Sequence, residues 1–176
     1  TRVNSAGIIE LVGSNIMRID YTTGTPVILD EAQSTNLAPF SNDYSNSTWI
    51  KSNLALTTNS SISPDGTQNS NKLAPDAVSG AHNVANTFNA TAGIINSYSV
   101  FIKHAGWQWV VFGQVSSNNI TGFFFDTING VIGSVSSNVL DSKVTSLSNG
   151  YYRLDVKVLG INFAKHSLAF SNLDDG

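Results

Sequence analysis

The sequence predicts an all-β fold, an antiparallel sandwich or barrel, on three observations. Short blocks rich in Val, Ile, Phe and Tyr recur between clusters of Gly, Asn, Ser and Asp. No window sustains the apolar spacing of three and four that a helix needs. Tight-turn signals separate the blocks, so most neighbouring strands pair antiparallel.

Taken in order, the apolar blocks place strands over residues 7–12, 16–21, 26–30, 49–57, 71–74 and 82–88. They continue over 98–104, 107–115, 121–126, 131–135, 142–146, 151–158 and 164–171. Ser63-Pro64-Asp65-Gly66 puts Pro where φ is preset and Gly where φ turns positive; Thr22-Thr23-Gly24-Thr25 and Ile128-Asn129-Gly130 are similar hairpin signals. The long Asn/Ser-rich stretch 37–48 is expected to be functional or packed by its own side chains. Residues 1–35 read as short hairpins, a connector ahead of a main sandwich over 36–176.

Period two assigns faces on the better strands. Tyr152, Leu154, Val156 and Val158 point to a core, against an outward row of Tyr151, Arg153, Asp155 and Lys157. Tyr98, Val100 and Ile102 oppose Ser99, Phe101 and Lys103. Trp107, Trp109 and Val111 fall on one face, opposite Gln108, Val110 and Phe112, and residues 121–126 are apolar on both sides, as in a covered central strand.

Composition excludes several functions. Charged residues are 12% of the 176, and Ser, Thr and Asn together make about a third, so hydroxyls and amides solvate the surface. A hydrophobic fraction of 41% arriving in blocks still supports a folded core. With a net charge of -3 and scattered Lys and Arg, no basic patch exists for nucleic acid. The absence of Cys removes disulfides, thiolate metal sites and a Cys nucleophile. No apolar run approaches the ~20 residues that span a bilayer, and Thr1-Arg2-Val3-Asn4-Ser5 opens no signal-peptide core. The opening without Met and the close on Leu173-Asp174-Asp175-Gly176 suggest a segment of a longer polypeptide.

Reactive constellations are lacking. His82, His104 and His166 stand alone without zinc spacing, and there is no Gly-x-Ser-x-Gly elbow or phosphate loop. Asp20, Asp30, Glu31, Asp43, Asp126, Asp155, Asp174 and Asp175 are the main carboxylates, and a glycosidase would need two of them flanking one bond. The expectation is a protein that is not an enzyme. Trp107 and Trp109 suit an aromatic platform under a sugar ring, or alternatively fill the core. Tyr151, Arg153 and Asp155 suit hydrogen bonds to a glycan, Arg153 being the most specific donor, or alternatively form a solvated ion-paired row. Trp49 reads as core.

Several runs together resemble the jelly-roll, concanavalin-A-like or carbohydrate-binding-module-like domains of bacteriophage tail-spike, tail-fibre and head-fibre proteins. They are Arg18-Ile19-Asp20-Tyr21, Thr35-Asn36-Leu37, Ser41-Asn42-Asp43-Tyr44-Ser45 and Trp49-Ile50-Lys51, then Pro64-Asp65-Gly66-Thr67 with Asn71-Lys72-Leu73. Tyr98-Ser99-Val100-Phe101-Ile102-Lys103, Phe125-Asp126, Gly130-Val131-Ile132-Gly133 and Asn149-Gly150-Tyr151-Tyr152-Arg153 complete the series.

The resemblance implies a jelly-roll sandwich at the virion surface that contacts a cell-surface polysaccharide and other virion proteins, as a homo-oligomer, a trimer, with neither nucleic acid nor membrane as partner. It implies no cofactor beyond a structural calcium ion, for which no ligand can be assigned. The alternatives are a structural capsid- or fibre-decorating domain, with contacts through Trp107, Trp109 or Phe123 to Phe125, and an accessory carbohydrate-binding module of a polysaccharide-degrading enzyme.

Overall fold

The computed structural model describes the chain apart from residues 14–15, 30–35, 87–90, 117–118, 162–164 and 172–176. Asp30, Glu31, Thr35, Leu173, Asp174, Asp175 and Gly176, named above, lie outside the described residues, as do the ends at 30, 87–88 and 164 of the strands expected over 26–30, 82–88 and 164–171.

The described chain is all-β. Its strands are β1 (Arg2–Val3), β2 (Ile9–Glu10), β3 (Ile19–Asp20), β4 (Val27–Ile28), β5 (Trp49–Ser52), β6 (Leu54–Ser61), β7 (Ser70–Pro75) and β8 (His82–Asn86). They continue with β9 (Ile95–Lys103), β10 (Trp109–Ser116), β11 (Asn119–Asp126), β12 (Val131–Val135), β13 (Val139–Ser146), β14 (Tyr151–Leu159) and β15 (Lys165–Ser171). Every pairing is antiparallel.

A six-stranded sheet in the order β12-β11-β10-β15-β8-β5 packs on a three-stranded sheet β13-β14-β9. β15 inserts between β10 and β8, so strands distant in sequence become neighbours in the larger sheet. Val84, Val110, Phe112, Phe123, Phe125 and Leu168 from the larger sheet meet Leu154, Val156 and Val158 from the smaller in one core. Each such buried side chain stabilises the fold by about 2 kcal/mol before entropy is charged against it.

In the β10–β11 ladder, Gly113 and Gly122 are directly paired. A Cβ on Gly113 would sit 2.2 Å from the Thr121 carbonyl oxygen, and one on Gly122 would sit 2.1 Å from that of Phe112. Only glycine permits this close approach.

The expected strand over 49–57 divides in two at Asn53, whose φ of 52 turns the chain so that β5 joins the large sheet and β6 pairs with β7 in a separate hairpin. Asn tolerates this left-handed conformation better than most residues. The β6–β7 turn forms at Ser63-Pro64-Asp65-Gly66, with Gly66 at φ 83 and its N–H donating to the Ser63 carbonyl. The Ser63 hydroxyl above all, with the Thr67 amide at 2.8 Å and Asn69 at 3.1 Å, donates to Asp65 and holds its carboxyl pKa at about 2 against the opposing effect of burial.

The stretch 37–48 is packed by its own side chains. Asn36 accepts from the Ala38 amide, Asp43 from the Ser45 amide and Asn46 from the Thr48 amide. Trp49, 4% exposed, sits in the core and donates its indole N–H to the Phe40 carbonyl at 2.9 Å, tying the loop to the sandwich.

At the N-terminus, β1–β2 and β3–β4 are two short hairpins, linked where Val3 N donates to Asp20 and Tyr21 N to Val3. Ile9 N donates to Pro64 O, which joins this unit to the β6–β7 turn. β1 falls outside the expected strands, because Arg2-Val3 carries one apolar residue at the start of a polar run, whereas β2, β3 and β4 lie in longer apolar blocks.

Candidate functional site

The five residues selected from sequence part company in three dimensions. Trp107 precedes β10, and its indole N–H donates to the Ser171 carbonyl at 2.8 Å while its ring meets Phe170 edge-on at 6.4 Å. Phe170 belongs to the inward row with Leu168, so Trp107 faces the interior. Trp109 opens β10, where Val110 and Phe112 point into the core, and alternation sends it to the opposite side, across from Asp126 and Ser171. A shared Trp107–Trp109 face is therefore not what forms. Period two holds only within a strand, and the ladder begins after Trp107.

On β14 the inward row is as expected, with Leu154, Val156 and Val158 buried. The outward row splits. Tyr151 is 5% exposed, because the β6–β7 hairpin reaches across it and the hydroxyls of Ser61, at 3.1 Å, and Ser70 bond its Oη. Two positions on, Arg153 pairs with Asp155 through Nε at 3.0 Å and a terminal nitrogen at 2.9 Å. That exposed pair satisfies itself on the outer face of the small sheet, and pairs of this kind contribute about 0.5 kcal/mol.

Trp107 and Tyr151 are brought to one place. They line a cleft of about 300 Å³ between the β6–β7 hairpin, β9 and the end of the large sheet. Its apolar wall includes Val100, Ile102, Val110, Leu168 and Phe170; Ser61, Ser70, Thr127, Lys72 and Lys103 add polar groups. Arg153, Asp155 and Trp109 lie outside it. The volume is at the small end of ligand pockets, and the mixture of apolar wall and few polar groups is usual for them.

A hydrogen-bond relay positions Trp107. Gly106 N donates to His104 Nε2 at 3.3 Å, so the ring proton sits on Nδ1 and is donated to Thr127 Oγ1 at 2.9 Å. Thr127 Oγ1 in turn donates to the Trp107 carbonyl at 2.7 Å.

Beside it, Asp126 accepts from Gln108 Nε2 at 2.8 Å, Asn129 Nδ2 at 2.7 Å, and the amides of Ile128 and Asn129. Burial alone would raise its carboxyl, but these donors together hold it at about 2. Asp126 thereby fixes the β11–β12 turn and the approach to β10. Sequence alone gives neither Thr127 nor Lys103 a binding role, Lys103 standing only at the end of the Tyr98–Lys103 run. Register supplies the signal for Lys103, which stands directly opposite Tyr151 with its ammonium 5.5 Å from the ring centre.

Among the described residues, no three His, Cys, Asp or Glu side chains gather as a metal site, and none of the cleft's lining side chains is a carboxylate. No protein-family model matches the chain, and no curated protein is significantly similar to it.

Proposed function

We propose that this protein is a non-enzymatic virion-surface module, of a tail or head fibre, that binds host cell-surface glycans at the Trp107–Tyr151 cleft. The observation that carries the reading is the convergence there of an aromatic wall with hydroxyl and ammonium donors. A sugar presents C–H groups to such a wall and hydroxyls to such donors. The virion setting rests on the resemblance to phage spike and fibre domains. The same cleft would serve an accessory carbohydrate-binding module of a polysaccharide-degrading enzyme.

One such site buries little area, so repeated copies would supply avidity. Trp107→Ala is expected to weaken binding at least tenfold on a glycan array, with the fold retained by circular dichroism. Unchanged glycan retention by that variant would overturn the assignment of the cleft.

A second reading, assembly, is favoured by a different observation. Leu11 is 88% exposed, Ile28 67% and Met17 63%, all in the N-terminal hairpin region. Such apolar surface suits a contact with another virion protein or another copy, a trimer in the fibre setting. The alternative contact through Phe123 to Phe125 is weakened, since Phe123 and Phe125 are both 0% exposed. Sedimentation of the Leu11→Ser/Met17→Ser variant tests this reading: a lower oligomer supports assembly through these hairpins, and an unchanged one removes them from it.

A further inference from the structure

The cleft has a charge character opposite to that of the chain. Acidic residues outnumber Lys and Arg by 12 to 9 overall, yet the lining holds Lys72 and Lys103 and no Asp or Glu. Among the described residues neither lysine forms an ion pair; the pairs run from Arg2 to Glu10, His82 to Asp76, Arg153 to Asp155 and Lys157 to Asp141.

Two elements distant in sequence supply these charges. Lys72 lies on β7, in the hairpin that closes over Tyr151, and Lys103 ends β9. Both are exposed at the rim, while Val110, Tyr151 and Leu168 form a buried floor. A neutral sugar would use the floor and the hydroxyls and leave both ammoniums solvated.

We infer that the cleft takes an acidic sugar, a pyranose bearing a carboxylate, with its ring against the Trp107 wall and its carboxylate between Lys72 and Lys103. The inference rests on the glycan-binding reading above and adds the class of glycan. An anion entering a concavity lined by one sign of charge and low-dielectric walls gains more than one meeting the same lysines on an open surface. The Arg153–Asp155 pair cannot substitute, since its guanidinium is already held by a carboxylate.

The test uses polygalacturonate, alginate and hyaluronan, each beside its carboxyl-reduced derivative of identical linkage. Binding to the intact protein is measured at low and high salt. Retention of at least one acidic polymer tenfold or more above its reduced form, weakening as salt rises, is expected. Lys72→Gln/Lys103→Gln should lose that preference with an unchanged melting temperature, and Lys143→Gln, outside the cleft, should keep it.

Equal binding of acidic and reduced polymers would overturn the acidic-sugar inference and leave the glycan reading standing. Binding of none of the six would count against both. An acidic preference that survives in the double lysine variant would place the anion elsewhere and also overturn it.

Discussion

At one end of the space between the sheets, Ile102, Val110 and Phe170 run out into the open cleft; at the other, Tyr98, Gln114 and His166 close the same layer. The two ends use the same strands, β9, β10 and β15, a few residues apart. In the cleft the buried polar groups are paired, Tyr151 with Ser61 and Ser70, and Trp107 with Ser171. At the closed end the Tyr98 hydroxyl, Gln114 Oε1 and both ring nitrogens of His166 find no hydrogen-bond partner among the described residues.

His166 stacks on Tyr98 at 4.8 Å, nearly parallel, with Trp49 and Phe112 edge-on. Packing and polar satisfaction are therefore separable. At the closed end ring contacts dominate and one side-chain bond, Gln114 Nε2 to the Leu159 carbonyl at 2.9 Å, joins them, whereas the open end holds its donors fixed by hydrogen bonds, as a binding site requires.

The ring that divides the two ends is Phe112, 0% exposed and edge-on to both His166 and Phe123. Phe112→Ala should cost about 4 kcal/mol in urea unfolding. A loss below about 1.5 kcal/mol would mean that the ends are not separated by a packed wall.

Next in size is the acid response of the closed end. Burial pushes His166 from 6.5 down to about 4, so the unfolded chain binds the proton first as pH falls. His166 thus contributes no penalty above pH 6.5, and stability drops as pH falls from there to about 4, by up to about 3 kcal/mol. His166→Phe should flatten the melting temperature across that window. A slope that persists in this variant would assign the acid response to other groups.

The smallest effects give the sharpest contrast, since one chemical change is made at each end. Tyr151→Phe strips the Ser61 and Ser70 hydroxyls of their shared partner and should cost about 1.5 kcal/mol. Tyr98→Phe removes a hydroxyl that has no partner and should be neutral or stabilising by up to about 1 kcal/mol. Equal costs in denaturant unfolding would erase the distinction between the ends.

Much of this was legible along the chain. Alternation over residues 151–158 identified the inward row of β14, and the turn at Ser63-Pro64-Asp65-Gly66 named its hairpin, because both signals are local. Trp49 was correctly read as core. The site was half legible. Trp107 and Tyr151 line the cleft, Trp109, Arg153 and Asp155 do not, and Lys72 and Lys103, which lie in quoted runs, carry no local signal that they face the same cleft.

Strand character, the turns and the faces within each strand are encoded locally, since they follow from side-chain periodicity and local backbone chemistry. Long-range packing sets the inward turn of Trp107 before the ladder begins, the covering of Tyr151, and the sharing of one cleft by two lysines. Those facts depend on contacts such as Ser61 with Tyr151, 90 residues apart, and on β15 inserting between β10 and β8. No periodicity encodes which distant hairpin will lie over an exposed-looking row.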